Sequence, residues 1–138
     1  MDLASLCSGH RPAAHELELI ARFIGATNAG ELASLVALFD EDAQVNDQLR
    51  NFWGRAEIGA WLEREIVGER IVLKALGIKK HYDVVMVSAE IRGDFETPPA
   101  LQPLIVDLYF TVKAPRILRL LILLARVGTQ EPDIRRAS

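Results

Sequence analysis

Apolar residues recur at helical spacing from Glu16 to Thr27, at Leu17, Ile20, Ala21 and Ile24, and Asn28-Ala29-Gly30 supplies a stop. This is the first expected helix. A second, shorter one runs from Glu31 to about Phe39, with Leu32, Leu35, Val36 and Phe39 on one stripe and Asp40-Glu41-Asp42 closing it. The segment 54–68, "GRAEIGAWLEREIVG", fits a third helix in which Ile58, Trp61, Leu62 and Glu65 share a face. Gly68 ends it.

After Gly68 the period becomes strand-like. Residues 70–81, 83–95, 101–112 and 116–124 are rich in Val, Ile and Leu at spacings that suit four strands. Tyr82-Asp83 and Lys113-Ala114-Pro115 read as tight turns, whereas "ETPPALQP" (96–103) is a longer connection kept out of a central strand by its prolines. Helices followed by a run of strands indicate an α+β domain, three N-terminal helices packed on a curved, mainly antiparallel sheet.

The last two strands add a further expectation. In "LIVDLYFTV" the set Val106, Leu108, Phe110 and Val112 is uniformly apolar, and the alternate set Ile105, Asp107, Tyr109 and Thr111 is mixed; in "ILRLLILL" both faces are nearly apolar. An antiparallel sheet ordinarily leaves one face wet, so a second apolar face predicts a homodimer through the sheet.

Composition limits the rest. A chain of 138 residues, 50% hydrophobic and 25% charged, reads as one globular domain: 16–126, between a flexible arm (1–15) and a tail (127–138). With a net charge of −3 and no dense basic tract, neither nucleic acid nor an anionic membrane is expected as a partner. The apolar run from Ile117 is too short to span a membrane and carries Arg119 and Arg126. A single Cys7 excludes an internal disulfide and, with no signal-like start, a reducing cytoplasm is the expected setting.

The run "LIARFIGATNAGELASLVALFDEDAQVND", followed by "WGRAEIGAWL" and four strands, resembles the SnoaL-like branch of the nuclear transport factor 2 superfamily, which includes ketosteroid isomerase. The likeness covers about 16–124 and implies a cone-shaped, cystatin-like half barrel with a hydrophobic pocket. It also implies a cofactor-independent isomerase or cyclase that moves a proton next to a carbonyl; the superfamily includes noncatalytic binders as well. Ketosteroid isomerase uses an Asp base with a Tyr and a protonated Asp as oxyanion donors. By position, Asp47 falls on the base and Asp107 on the donor acid, while the donor Tyr position holds Phe23, which has no proton to give. Trp53, Trp61 and Tyr109 are expected to line the pocket with Phe23, and Tyr109 alone among these four carries a hydroxyl.

Read from the residues alone, both acids have alternatives. Asp47 is either a strand-end turn residue or a pocket carboxylate, the latter only if it points toward the helices together with Asp107. Asp107, between Val106 and Leu108, is either a buried acid or the ion-pair partner of Arg119. His81 beside Lys79 and Lys80 reads as a solvated hairpin residue, and His10 and His15 are too scattered for a metal site. Arg92-Gly93-Asp94 is similar to the Arg and Asp of epoxide hydrolases in the superfamily, but the last strand lacks the carboxylate that would complete that set, so an exposed strand-end pair is expected. No Gly-rich nucleotide motif or Ser/His/Asp order is present, so no cofactor is implied.

Overall fold

The computed structural model describes residues 2–95 and 103–127, with side chains to residue 125; the connection 96–102 and the C-terminal tail lie outside the described residues. A short 3-10 turn (Leu3–Leu6) precedes α1 (Ala14–Ala29) and α2 (Leu32–Ala37). Then come a hairpin of β1 (Phe39–Asp47) and β2 (Arg50–Trp53), α3 (Gly54–Trp61) continued by a π-helical turn (Leu62–Val67), and strands β3 (Val72–His81), β4 (Val84–Arg92), β5 (Leu104–Lys113) and β6 (Arg116–Val127).

Helix α1 starts where the Glu16 carboxylate accepts the Ala13 N–H at 2.8 Å and ends where Gly30 takes the left-handed conformation, φ 67°, returning its N–H to the Thr27 carbonyl. Its stripe of Leu19, Ile20, Phe23 and Ile24 packs into the core. Phe23 meets Phe39 and Phe110 edge-on at 6.3 and 5.4 Å between ring centroids. The second helix is shorter than its stripe suggested: it stops at Ala37, and Phe39 opens a strand, so Asp40-Glu41-Asp42 belongs to β1.

Six strands, two more than expected, form one sheet in the order β2-β1-β6-β5-β4-β3. All neighbours are antiparallel except β1 and β6, which run parallel; the turn at Leu38 after α2 leads β1 in beside β6, the last of the described strands. The sheet's inner face carries Val85, Val87, Ala89, Val106, Leu108, Phe110, Leu120 and Ile122 against the helices. Its outer face presents Met86, Ser88, Asp107, Tyr109, Leu121 and Leu123, all half-buried in the single chain.

The N-terminal arm, expected to be loose, is docked. Cys7 bridges Ile78 in parallel, the Ser8 N–H reaches the Ile78 carbonyl at 2.9 Å, the Lys80 N–H reaches the His10 carbonyl at 3.0 Å, and Leu3 enters the core. Lys80 also bonds the buried Glu16 at 2.8 Å, tying arm, helix and strand together. Among the described residues no helix is long and apolar enough to cross a membrane.

Candidate functional site

Alternation along β1 sets Ala43 and Val45 inward, Gln44 and Asn46 outward, and Asp47 inward at the strand's end. The connection to β2 is two residues long, and both Gln48 and Leu49 are left-handed, at φ 52° and 71°. Such a turn matches the twist of a hairpin but is ordinarily built from Asn and Gly. Here side chains hold it: the Gln48 amide donates to the Ile122 carbonyl at 2.9 Å and accepts from the Leu124 N–H at 3.1 Å, while Asn46 Oδ1 accepts the Leu49 N–H at 2.9 Å. Gln48 thus continues the β1–β6 ladder with its side chain.

The turn places Arg50 opposite Asp47. Its Nη2 donates to Asp47 Oδ2 at 3.1 Å and to Glu65 Oε1 at 2.7 Å, and Nη1 donates to Glu65 Oε2 at 2.9 Å. The buried Trp61 donates its indole Nε1–H to the same Asp47 Oδ2 at 3.0 Å. Trp61 is stacked on Phe52 at 5.9 Å, and the Arg50 guanidinium lies 5.6 Å from the centre of the Phe52 ring, so guanidinium and two rings form a tier behind the carboxylate. Glu65 is held below the ordinary glutamate value, first by the hydrogen bonds from Arg50, which outweigh its partial burial; Arg50 is correspondingly raised.

These groups edge a cavity of about 260 Å³. Ile66, Ile71, Ile91, Val106, Ile122 and Leu124 make its wall, the hydrogen-bonded Asp47, Gln48, Arg50 and Glu65 form a polar side, and Glu69 also borders it. A hydrophobic body with a polar end fits this arrangement.

Of the expected site residues, Asp47 lines this cavity and Trp61 backs it. The others are elsewhere. Asp107 is on the outer face, because β5 sends Val106, Leu108 and Phe110 inward and the odd positions outward. The two carboxylates therefore stand on opposite sides of the sheet and do not form a joint acid–base pair. Tyr109 shares that outer face, Phe23 is core against Phe39 and Phe110, and Trp53 is 57% exposed on β2. The Asp107–Arg119 pair is also absent: Asp107 is opposite Leu123, whereas Arg119 is opposite Thr111, four positions further along β5. Asp94 pairs with Arg70 at 3.5 Å rather than with Arg92, and His81 is exposed, edge-on to Tyr82.

The sequence reading did not single out Arg50, Glu65, Gln48 or Glu69 as site residues. Glu65 had a signal, a charge on the apolar helix face of Ile58, Trp61 and Leu62. Arg50 had none without the hairpin.

No protein-family model matches the chain, and no curated protein does. Solved structures do. The chain is similar to a proposed polyketide cyclase from Sinorhizobium meliloti, at 24% identity and a TM-score of 0.68 over 77% of this chain and 94% of that one. It is similar to a protein of ketosteroid isomerase-like fold from Catenulispora acidiphila, solved with trimethylamine, at 17% identity and a TM-score of 0.68 over 78% and 85%. The epoxide hydrolase/cyclase-like enzyme SalBIII of salinomycin pyran-ring formation matches at 18% and a TM-score of 0.67 over 81% and 93%. This is the nuclear transport factor 2-like fold. At these identities the likeness extends to the fold alone; in this chain the cavity lies on the helix-covered face of the sheet, with Asp47 on that face and Asp107 off it.

Proposed function

We propose that the chain binds a mainly apolar small molecule in this cavity and that Asp47 moves a proton next to the ligand's carbonyl. Asp47 itself carries the reading: an inward carboxylate at the rim of an apolar cavity, with Oδ2 occupied by Trp61 and Arg50 and Oδ1, among the described residues, hydrogen-bonded only by Gln48, at 3.5 Å. Oδ1 is then the basic atom. In this reading Arg50 takes over the task the resemblance gave to Asp107. Four donor contacts are taken up by Asp47 and Glu65, which leaves one Nη1 hydrogen of the five guanidinium N–H groups to meet a developing enolate oxygen.

Solvent exchange tests this directly. Hydrophobic ketones incubated in deuterated buffer should acquire deuterium at the carbon next to the carbonyl, and Asp47→Asn should stop the exchange while ligand affinity survives. Binding without exchange in the unaltered protein would establish the other reading, a noncatalytic ligand-binding protein with a vestigial site. That reading draws support from the absence of Asp107, Tyr109 and Phe23 from the cavity wall. In both readings the outer sheet face assembles a homodimer, because none of the described elements covers its half-buried Met86, Tyr109, Leu121 and Leu123. Sedimentation should report twice the chain mass.

A further inference from the structure

The outer face has a charge pattern that is its own complement. Met86, Tyr109 and Leu121 lie side by side across β4, β5 and β6 and form an apolar centre. Asp107 is two residues from Tyr109 along β5, and Arg119 is two residues from Leu121 along β6 in the opposite sense. Among the described side chains neither has an ion-pair partner. With ~3.3 Å per residue and ~4.8 Å between strands, the two are roughly 14 Å apart, beyond reach of each other.

We propose that a second copy of the chain covers this face about a two-fold axis passing over Tyr109 and Leu121, so that Asp107 of each protomer meets Arg119 of the partner. This rests on the homodimer reading above and gives it a register. An axis lying between the two sheets, at right angles to the Asp107–Arg119 line, exchanges the two positions, as a self-complementary interface requires. That line leans roughly 20° from the strands, by the same spacings, so the strands of the two protomers cross at roughly 40°, close to the ~30° of aligned sheets. The gap between packed sheets is ~10 Å, which an aspartate and an arginine together span. A hollow of about 380 Å³ beside Arg119, bordered by Tyr109, Thr111 and Leu121, accommodates the incoming side chain. Arg119 is exposed and Asp107 half-buried in the single chain, so two-fold packing pairs charges that are otherwise left in water beside apolar surface.

Charge reversal tests the register. Asp107→Arg alone sets two like charges against each other at both ends of the interface, and so does Arg119→Asp; each should weaken self-association by ~10²-fold or more. Mixing the two variants makes both crossed pairs opposite in sign, so the mixture should form a heterodimer in native mass spectrometry. The double variant should dimerise with itself again. Circular dichroism of each single variant separates lost association from lost folding. If both single variants dimerise as the parent does, or if the mixture stays monomeric, the pairing is overturned while the homodimer reading stands. A parent chain that sediments as a monomer overturns that reading as well.

Discussion

The Trp61 indole N–H and the Asp47 carboxylate meet at 3.0 Å where the core ends and the cavity begins. The bond links a wholly buried ring to a charged group, so it serves stability and orientation together. Trp61→Phe should lower unfolding free energy by about 2–4 kcal/mol, from a lost charge-assisted bond and a smaller ring. In an Asp47→Asn background the same change should cost about 1 kcal/mol less, which a urea double-mutant cycle can read.

Acid should loosen the Arg50–Glu65 corner. Glu65 is held below its unfolded value by the hydrogen bonds from Arg50. A group with a depressed folded pKa contributes its full stability above the unfolded value and loses it as pH falls through the folded one. The loss therefore begins near the ordinary glutamate range and continues below it. Because Arg50 is half exposed, the effect is modest. Unfolding midpoints measured from pH 7 down to 3 should fall less steeply for Glu65→Gln than for the parent.

Thr27 is a buried residue whose hydroxyl has no hydrogen-bond partner among the described residues. Thr27→Val keeps the shape and the β-branch while removing the stranded polar atom. We expect a gain of about 1 kcal/mol, seen as a rise of a few degrees in Tm.

Leu49 is 81% exposed in a left-handed conformation. An L-residue with a branched side chain is strained there by ~1–2 kcal/mol, a strain that Asn tolerates better. Leu49→Asn should stabilise the hairpin by about 0.5–1 kcal/mol. Gln48→Ala should do the opposite, by about 1–2 kcal/mol, because it removes both side-chain bonds to β6. Thermal melts of the two variants should shift in opposite directions.

Much of this architecture could be read from residue patterns, and the gaps have local causes. The helix of Leu17, Ile20 and Ile24 and the four strands after Gly68 appear where periodicity placed them. The β1–β2 hairpin escaped notice because Gln48-Leu49 carries no turn chemistry; bonds to residues more than 70 positions away hold it instead. At Asp107 the alternation of Val106, Leu108 and Phe110 already separated that acid from the inward set, and the resemblance drew it toward the pocket. Asp47 lacked a long enough alternating run to fix its side, and its partners Arg50, Glu65 and Trp61 converge only once the hairpin folds against α3.

The arm along β3 has a consequence for how the molecule meets its neighbours. An open sheet has two lateral borders. One here is β2, only four residues long, too brief to recruit another strand. The other is the ten-residue β3, whose outward Ile78 carbonyl accepts the Ser8 N–H and whose Lys80 N–H donates to the His10 carbonyl. A chain trimmed of its first twelve residues would keep its cavity and its charged outer face, yet it would offer a long bare strand to any copy that drifted past. Its failure would then be stacking into fibrils rather than melting.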